Sequence, residues 1–182
     1  MLLLKWLLFL ISLTLTTPAW ATTYYVATTG SDSNPGTAVG TPFRSIQKCI
    51  TVMVAGDTCT VADGTYTRTD GSFSNASVVG QISSSTAVHG TAGSPITLKS
   101  TNALGAGVSV PSIANVGNGG IRVTRNYWII EGFDVTGGNG TGTASNIGVI
   151  ITGSPTGVVV RKNAIHNIGR TVCSDTGFGY AG

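Results

Sequence analysis

Charge is scarce in this 182-residue chain: only 9% of its residues are Asp, Glu, Lys or Arg. That separates it from the highly charged compositions of chains that stay disordered. Ten basic residues stand against seven acidic ones, with no basic run and no RNA-binding signature. This balance is too weak to argue for nucleic acid. After residue 21 no apolar run approaches the roughly twenty residues a membrane-spanning helix needs. Nucleophile elbows, zinc-ligand spacings and phosphate-cradling glycine loops are missing too. So is any Asp–Asp cluster, which a hydrolase needs to place two carboxyl groups about 5–9 Å apart.

What is abundant is glycine, 26 residues of it, together with Thr, Ser, Asn and Val. That mixture reads as many short β-strands joined by tight turns. Period-two alternation marks strands at Ile96–Leu98, Val108–Val110, Ile121–Val123, Trp128–Val135, Val149–Ile151 and Val158–Ile165. Two of these segments repeat. Gly120–Thr124 corresponds to Gly148–Thr152 and Trp128–Val135 to Val158–Ile165, at offsets of 28 and 30 residues. Such a period is the length of one solenoid turn, which buries its apolar face only by stacking on the next. Ile130 should then stack on Val160 and Val135 on Ile165. Lys162–Asn163 and Asn167 suit corners, because asparagine tolerates left-handed backbone. An antiparallel sandwich also alternates with short turns, but a near-constant offset argues against it. From Thr67 to Gly93 the chain is polar and is expected to be a long excursion with one weak strand around Val78, Val79 and Ile82.

The N-terminus carries two further signals. Lys5, the apolar run Trp6–Leu15 and the small-x-small triplet Ala19-Trp20-Ala21 form a secretory leader cut after Ala21. The mature chain then has nine basic residues against seven acidic, a net charge of +2. Next come Tyr24–Thr37, read as a strand and tight turn, and Gly56–Tyr66, read as a second strand with a Gly-Thr-Tyr corner. Between them Thr41 can N-cap a helix with Pro42 in its first turn. Phe43, Ile46, Ile50 and Met53 form one apolar stripe, and Gly56 ends the helix.

Residues 24–66 in this arrangement resemble the capped N-terminus of secreted right-handed parallel β-helix proteins, the group that includes pectate lyase- and chondroitinase B-type enzymes. The expected fold is therefore an all-β, right-handed parallel β-helix with an N-terminal amphipathic capping helix. The leader would occupy residues 1–21, the first strand, helix and coil 22–66, and further coils 67–182. Cys49 on the helix and Cys59 on the strand after it come within disulfide range if the helix folds back; two reduced core thiols are the alternative. Cys173 is then either a free core thiol or paired with a cysteine beyond Gly182. The chain stops at Gly182 without a polar terminal element, so it is expected to be a piece of a longer, monomeric, exported or periplasmic protein.

The resemblance implies a lyase on a uronate-containing polysaccharide. Such an enzyme neutralises a carboxylate, often with calcium, and removes the adjacent proton with Lys or Arg. The available cations are Lys99, Arg122, Arg125, Arg161, Lys162 and His166. Arg122 alternates with Ile121 and Val123 and should point outward. Arg161, Lys162 and His166 gather at one corner, either as a weak basic patch for an acidic glycan or as a solvated surface. For calcium, Asp32-Ser33-Asn34 and the pair Glu131 and Asp134 are the acid-bearing groups. Asp32 fits a turn role better, and Glu131 and Asp134 should alternate to opposite faces. Asp57 and Asp63 read as turn residues. No catalytic residue is nominated, calcium is an expectation for the full-length protein only, and a non-catalytic glycan-binding or adhesin-like β-helix is the second reading.

Overall fold

The computed structural model describes residues 20–67, 78–110, 119–137 and 147–168, without the side chains of 109, 110 and 119. The leader's charged and apolar regions and Cys173 lie outside the described residues. The strands are β1 (Thr23–Val26), β2 (Thr58–Val61), β3 (Gly64–Tyr66), β4 (Val78–Ile82), β5 (Ile96–Ser100), β6 (Ala106–Val110), β7 (Gly119–Val123), β8 (Trp128–Glu131), β9 (Asp134–Gly137), β10 (Ile147–Ile151), β11 (Val159–Arg161) and β12 (Ala164–Ile165). Helix α1 (Ile46–Val52) lies between β1 and β2.

Three sheets result, ordered β1-β2-β5-β8-β11, β3-β6-β9-β12 and β4-β7-β10. From β2 onward the chain visits them in the same rotation on every pass, and each pairing between named strands is parallel. A sandwich of hairpins would pair its strands antiparallel. The offsets read from the sequence are the pairing register: Val149 lies beside Ile121, and Val160 beside Ile130.

The register explains the core. Cys59, Leu98 and Ile130 stack in one column and Tyr66, Val108 and Val135 in another, all buried in a single apolar cluster. Burying each such side chain contributes about 1.5–3 kcal/mol. Val160 and Ile165 occupy the same columns in the last described pass and are 36% and 45% exposed.

Of the segments read as strands, Trp128–Val135 is divided by a corner that was not expected, and Val158–Ile165 is divided at the expected Lys162–Asn163 bend. Gly132 (φ +81°) separates β8 from β9, and Lys162 (φ +55°) separates β11 from β12. Asn163 completes its corner by bonding the previous pass: its Oδ1 accepts from Phe133 N at 2.8 Å and its Nδ2 donates to Ile130 O at 3.0 Å. The polar stretch after Thr67 holds the strand expected around Val78, Val79 and Ile82, β4, which runs for five residues. Its signal is interrupted by Gly80, yet Gly80 is what lets the helix approach. A Cβ added there would sit 3.1 Å from Ile50 Cδ1.

The helix begins later than Thr41-Pro42 suggests. Ser45 is its N-cap, accepting from Lys48 N at 3.1 Å. The cause is Asp32. Its Oδ1 accepts from Arg44 N and Ser45 N, both at 2.9 Å, and its Oδ2 accepts from Ser45 Oγ at 2.7 Å. These bonds hold the entry extended, and Phe43 bridges in parallel to Val26 instead of starting the helix. Replacing Asp32 by alanine should cost about 2 kcal/mol, read by urea unfolding. The expected apolar stripe survives, since Phe43, Ile46, Ile50 and Met53 are all buried. Gln47 binds the sheet edge strand β4 through both amide atoms, accepting from Gln81 N at 2.6 Å and donating to Gln81 O at 3.1 Å. Cys49 and Cys59 form a disulfide with their Cα atoms 6.3 Å apart, tying α1 to β2.

Candidate functional site

Residues of β2, β5, β8 and β11 that alternate with the buried column face outward, and in register they read Thr60, Lys99, Glu131, Arg161. Neighbouring strands lie about 4.8 Å apart, so side chains on adjacent passes reach one another. Glu131 Oε2 accepts from Arg161 Nε at 2.9 Å and lies 2.8 Å from Nη2, while Oε1 accepts from Lys162 Nζ at 2.8 Å. The left-handed backbone of Lys162 forms the corner at which its side chain reaches that carboxylate. Hydrogen bonds from Lys162 and then Arg161 hold the Glu131 carboxyl below its ordinary value, against the opposing effect of desolvation.

Around the corner, His166 meets Asp134, with Nε2 to Oδ1 at 2.7 Å. Asn167 Nδ2 lies 2.9 Å from His166 Nδ1. An amide nitrogen can only donate, so Nδ1 accepts and the proton of a neutral ring belongs on Nε2, facing Asp134. Both ring nitrogens are engaged.

The structure thus brings Arg161, Lys162 and His166 to one corner and sets two carboxylates among them. Glu131 and Asp134 do stay apart, as expected, but because Gly132 turns the chain between two sheets rather than by alternation along one strand. Arg122 pairs in register with Gln81 and Ile150. Its Nε is buried without a hydrogen-bond partner among the described residues.

One cluster escaped the sequence reading. Arg125 donates from Nε to Ala87 O at 3.0 Å and its Nη1 lies 2.8 Å from His89 Nε2, while Asn126 N donates to His89 Nδ1 at 3.0 Å. Only the stacking of the 83–91 loop over the 124–127 corner joins these residues, and no local motif signals that. Among the described residues no group of three or more His, Cys, Asp or Glu is placed to hold a metal. Asp32 is committed to the helix entry, Asp57 to two backbone amides, and Asp63 Oδ2 accepts from Asn102 at 2.9 Å. No helix among the described residues is long and apolar enough to cross a membrane.

A family model described as "Pel9A-like, right handed beta helix region" matches residues 24–181. The chain belongs to this family of right-handed β-helices. Among solved structures, this Pel9A-like chain is similar to a rhamnogalacturonan lyase, with 28% identity and a TM-score of 0.55 over 65% of its length. It spans 29% of that lyase. It also shares its fold with the native GH136 lacto-N-biosidase from Eubacterium ramulus, with 14% identity and a TM-score of 0.50, covering 81% of this chain and 28% of that one. The selenomethionine form of the same protein gives a TM-score of 0.51. No curated protein matches.

Proposed function

We propose that this Pel9A-like chain forms the first coils of an exported enzyme that cleaves an acidic, uronate-containing polysaccharide by elimination. In this reading the passes close into a solenoid and α1 covers its first rung. The likeness to a rhamnogalacturonan lyase at 28% identity carries the reading. No catalytic residue is assigned among the described residues in this reading. The part assigned to the present residues is to bind and align the glycan along the outward ladder.

At that ladder Glu131 occupies the place a substrate carboxylate would take against Arg161 and Lys162. Glu131→Gln should free two cations and tighten binding of a polyuronate severalfold at low salt, with the gain shrinking as salt rises. The pH sign follows from the lowered Glu131 value. The ion pairs hold above that value and open as pH falls through it, so wild type should approach the variant only in acid. Unchanged binding in Glu131→Gln would remove the corner from the glycan path.

A non-catalytic glycan-binding role is the second reading, favoured by the paired charges at the corner. To separate the two, the full reading frame is incubated with rhamnogalacturonan, pectate, alginate and chondroitin, with and without chelator. Rising ultraviolet absorbance from unsaturated ends marks elimination. Reducing ends without it mark hydrolysis, and retention on a glycan column without either marks binding alone.

A further inference from the structure

Asp57 is 1% exposed, yet its carboxylate has no Lys, Arg or His partner among the described residues. Its Oδ2 accepts from Val54 N at 2.8 Å, closing the turn after α1. Its Oδ1 accepts from Thr22 N at 2.7 Å. Taking a carboxylate out of water is costly, and two neutral amides are less compensation than a cation. Thr22 is also the residue that follows the Ala19-Trp20-Ala21 triplet. Its carbonyl accepts from Thr58 N at 2.9 Å, so it is fixed at the start of β1 against β2. Immediately upstream, Ala21 is exposed and Trp20 is 87% exposed.

We propose that Asp57 is the receptor for a new amino terminus made by cutting the Ala21–Thr22 bond. Hydrolysis breaks that C–N bond; water supplies a hydroxyl to the Ala21 carbonyl and a proton to the Thr22 nitrogen. At neutral pH the nitrogen takes a second proton from solvent and becomes an ammonium. The atom already 2.7 Å from Asp57 Oδ1 thereby changes from a neutral amide donor to the missing countercharge. Charge-assisted hydrogen bonds are about twice as strong as neutral ones. Removal of the leader therefore completes a buried ion pair beneath the first turn after α1, and the exported form is the more stable one. The other titratable group facing Asp57 is Tyr24 on β1, whose hydroxyl is raised first by burial and then by the Asp57 charge.

The inference rests on the leader cut and on Asp57, not on the polysaccharide reading, so loss of either leaves the other standing. The full reading frame is exported, its terminus is identified by mass, and its α-amino group is challenged with an amine-selective reagent. A terminus at Thr22 that reacts at least tenfold more slowly in the native chain than in Asp57→Asn supports the proposal. A second chain, made to start at Ala21, keeps Asp57 intact but carries its ammonium one residue too far out. It should label freely and melt several degrees lower, by an amount that Asp57→Asn removes. A terminus elsewhere than Thr22, equal labelling of Thr22 in wild type and Asp57→Asn, or equal melting of the Thr22- and Ala21-started chains overturns it.

Discussion

Trp128→Ala should lower the unfolding free energy by about 4 kcal/mol. The indole is fully buried at the first position of β8, beside Ile96 of β5, and its Nε1 donates to Val88 O at 3.0 Å. Two losses combine in the variant. Apolar contacts vanish into a cavity that parallel strands on neighbouring passes cannot close, and the Val88 carbonyl loses its donor. For a chain of this size the melting temperature should fall on the order of 10 °C. Trp128→Phe separates the two, keeping most of the apolar area while leaving the carbonyl unpaired, and should cost about 1–2 kcal/mol. Urea unfolding followed by far-ultraviolet circular dichroism is the measurement, since the substitution removes a fluorophore. A loss under about 1.5 kcal/mol for the alanine variant would mean that the indole is not enclosed by the 87–89 loop and β5.

The pairing of β7 with β10 and of β8 with β11 was legible because successive parallel passes repeat their apolar positions at the same offset as their hydrogen bonds. Corners were legible where a polar residue marked them: Lys162 and Asn167 both take left-handed backbone, as expected. The corner at Gly132 was not, because hydrophobicity continues across it and only the left-handed glycine marks the change of sheet. The helix start was hidden for a different reason: Thr41-Pro42 is a sound local signal, but Asp32, distant in sequence, spends its carboxylate on Arg44 and Ser45 and moves the cap to Ser45. At the candidate site the cations were visible and their partners were not. Glu131 and Asp134 were weighed as a pair for one shared ion, although the 30-residue offset that pairs Trp128 with Val158 also sets Glu131 beside Arg161. Applying the register to charged positions as well as apolar ones would have found that ion pair. The contact of His89 with Arg125 had no such cue, because it joins a loop to a corner and not two equivalent positions.

Opening the Cys49–Cys59 bond should have the second largest effect on stability, about 2–3 kcal/mol for a loop of this length. The cysteines are ten positions apart, and both are fully buried. Replacing both by alanine removes the crosslink without leaving an unpaired thiol or hydroxyl in the core. The loss should be local before it is global. Helix α1 spans seven residues, too short to hold without its tertiary contacts. It is kept in place by the disulfide to β2, the Gln47–Gln81 amide pair on β4 and the Asp32–Ser45 bonds at its entry. With the disulfide gone, the Lys48–Thr51 amides should exchange with solvent at least tenfold faster, while those of β7 and β8 change little. Thiol counting in denaturant without reductant should find one reactive cysteine per chain, Cys173, and three after reduction. Equal exchange of α1 in the oxidised chain and the double-alanine variant would show that Gln47 and Asp32 hold the helix by themselves and that the crosslink acts mainly on the unfolded chain.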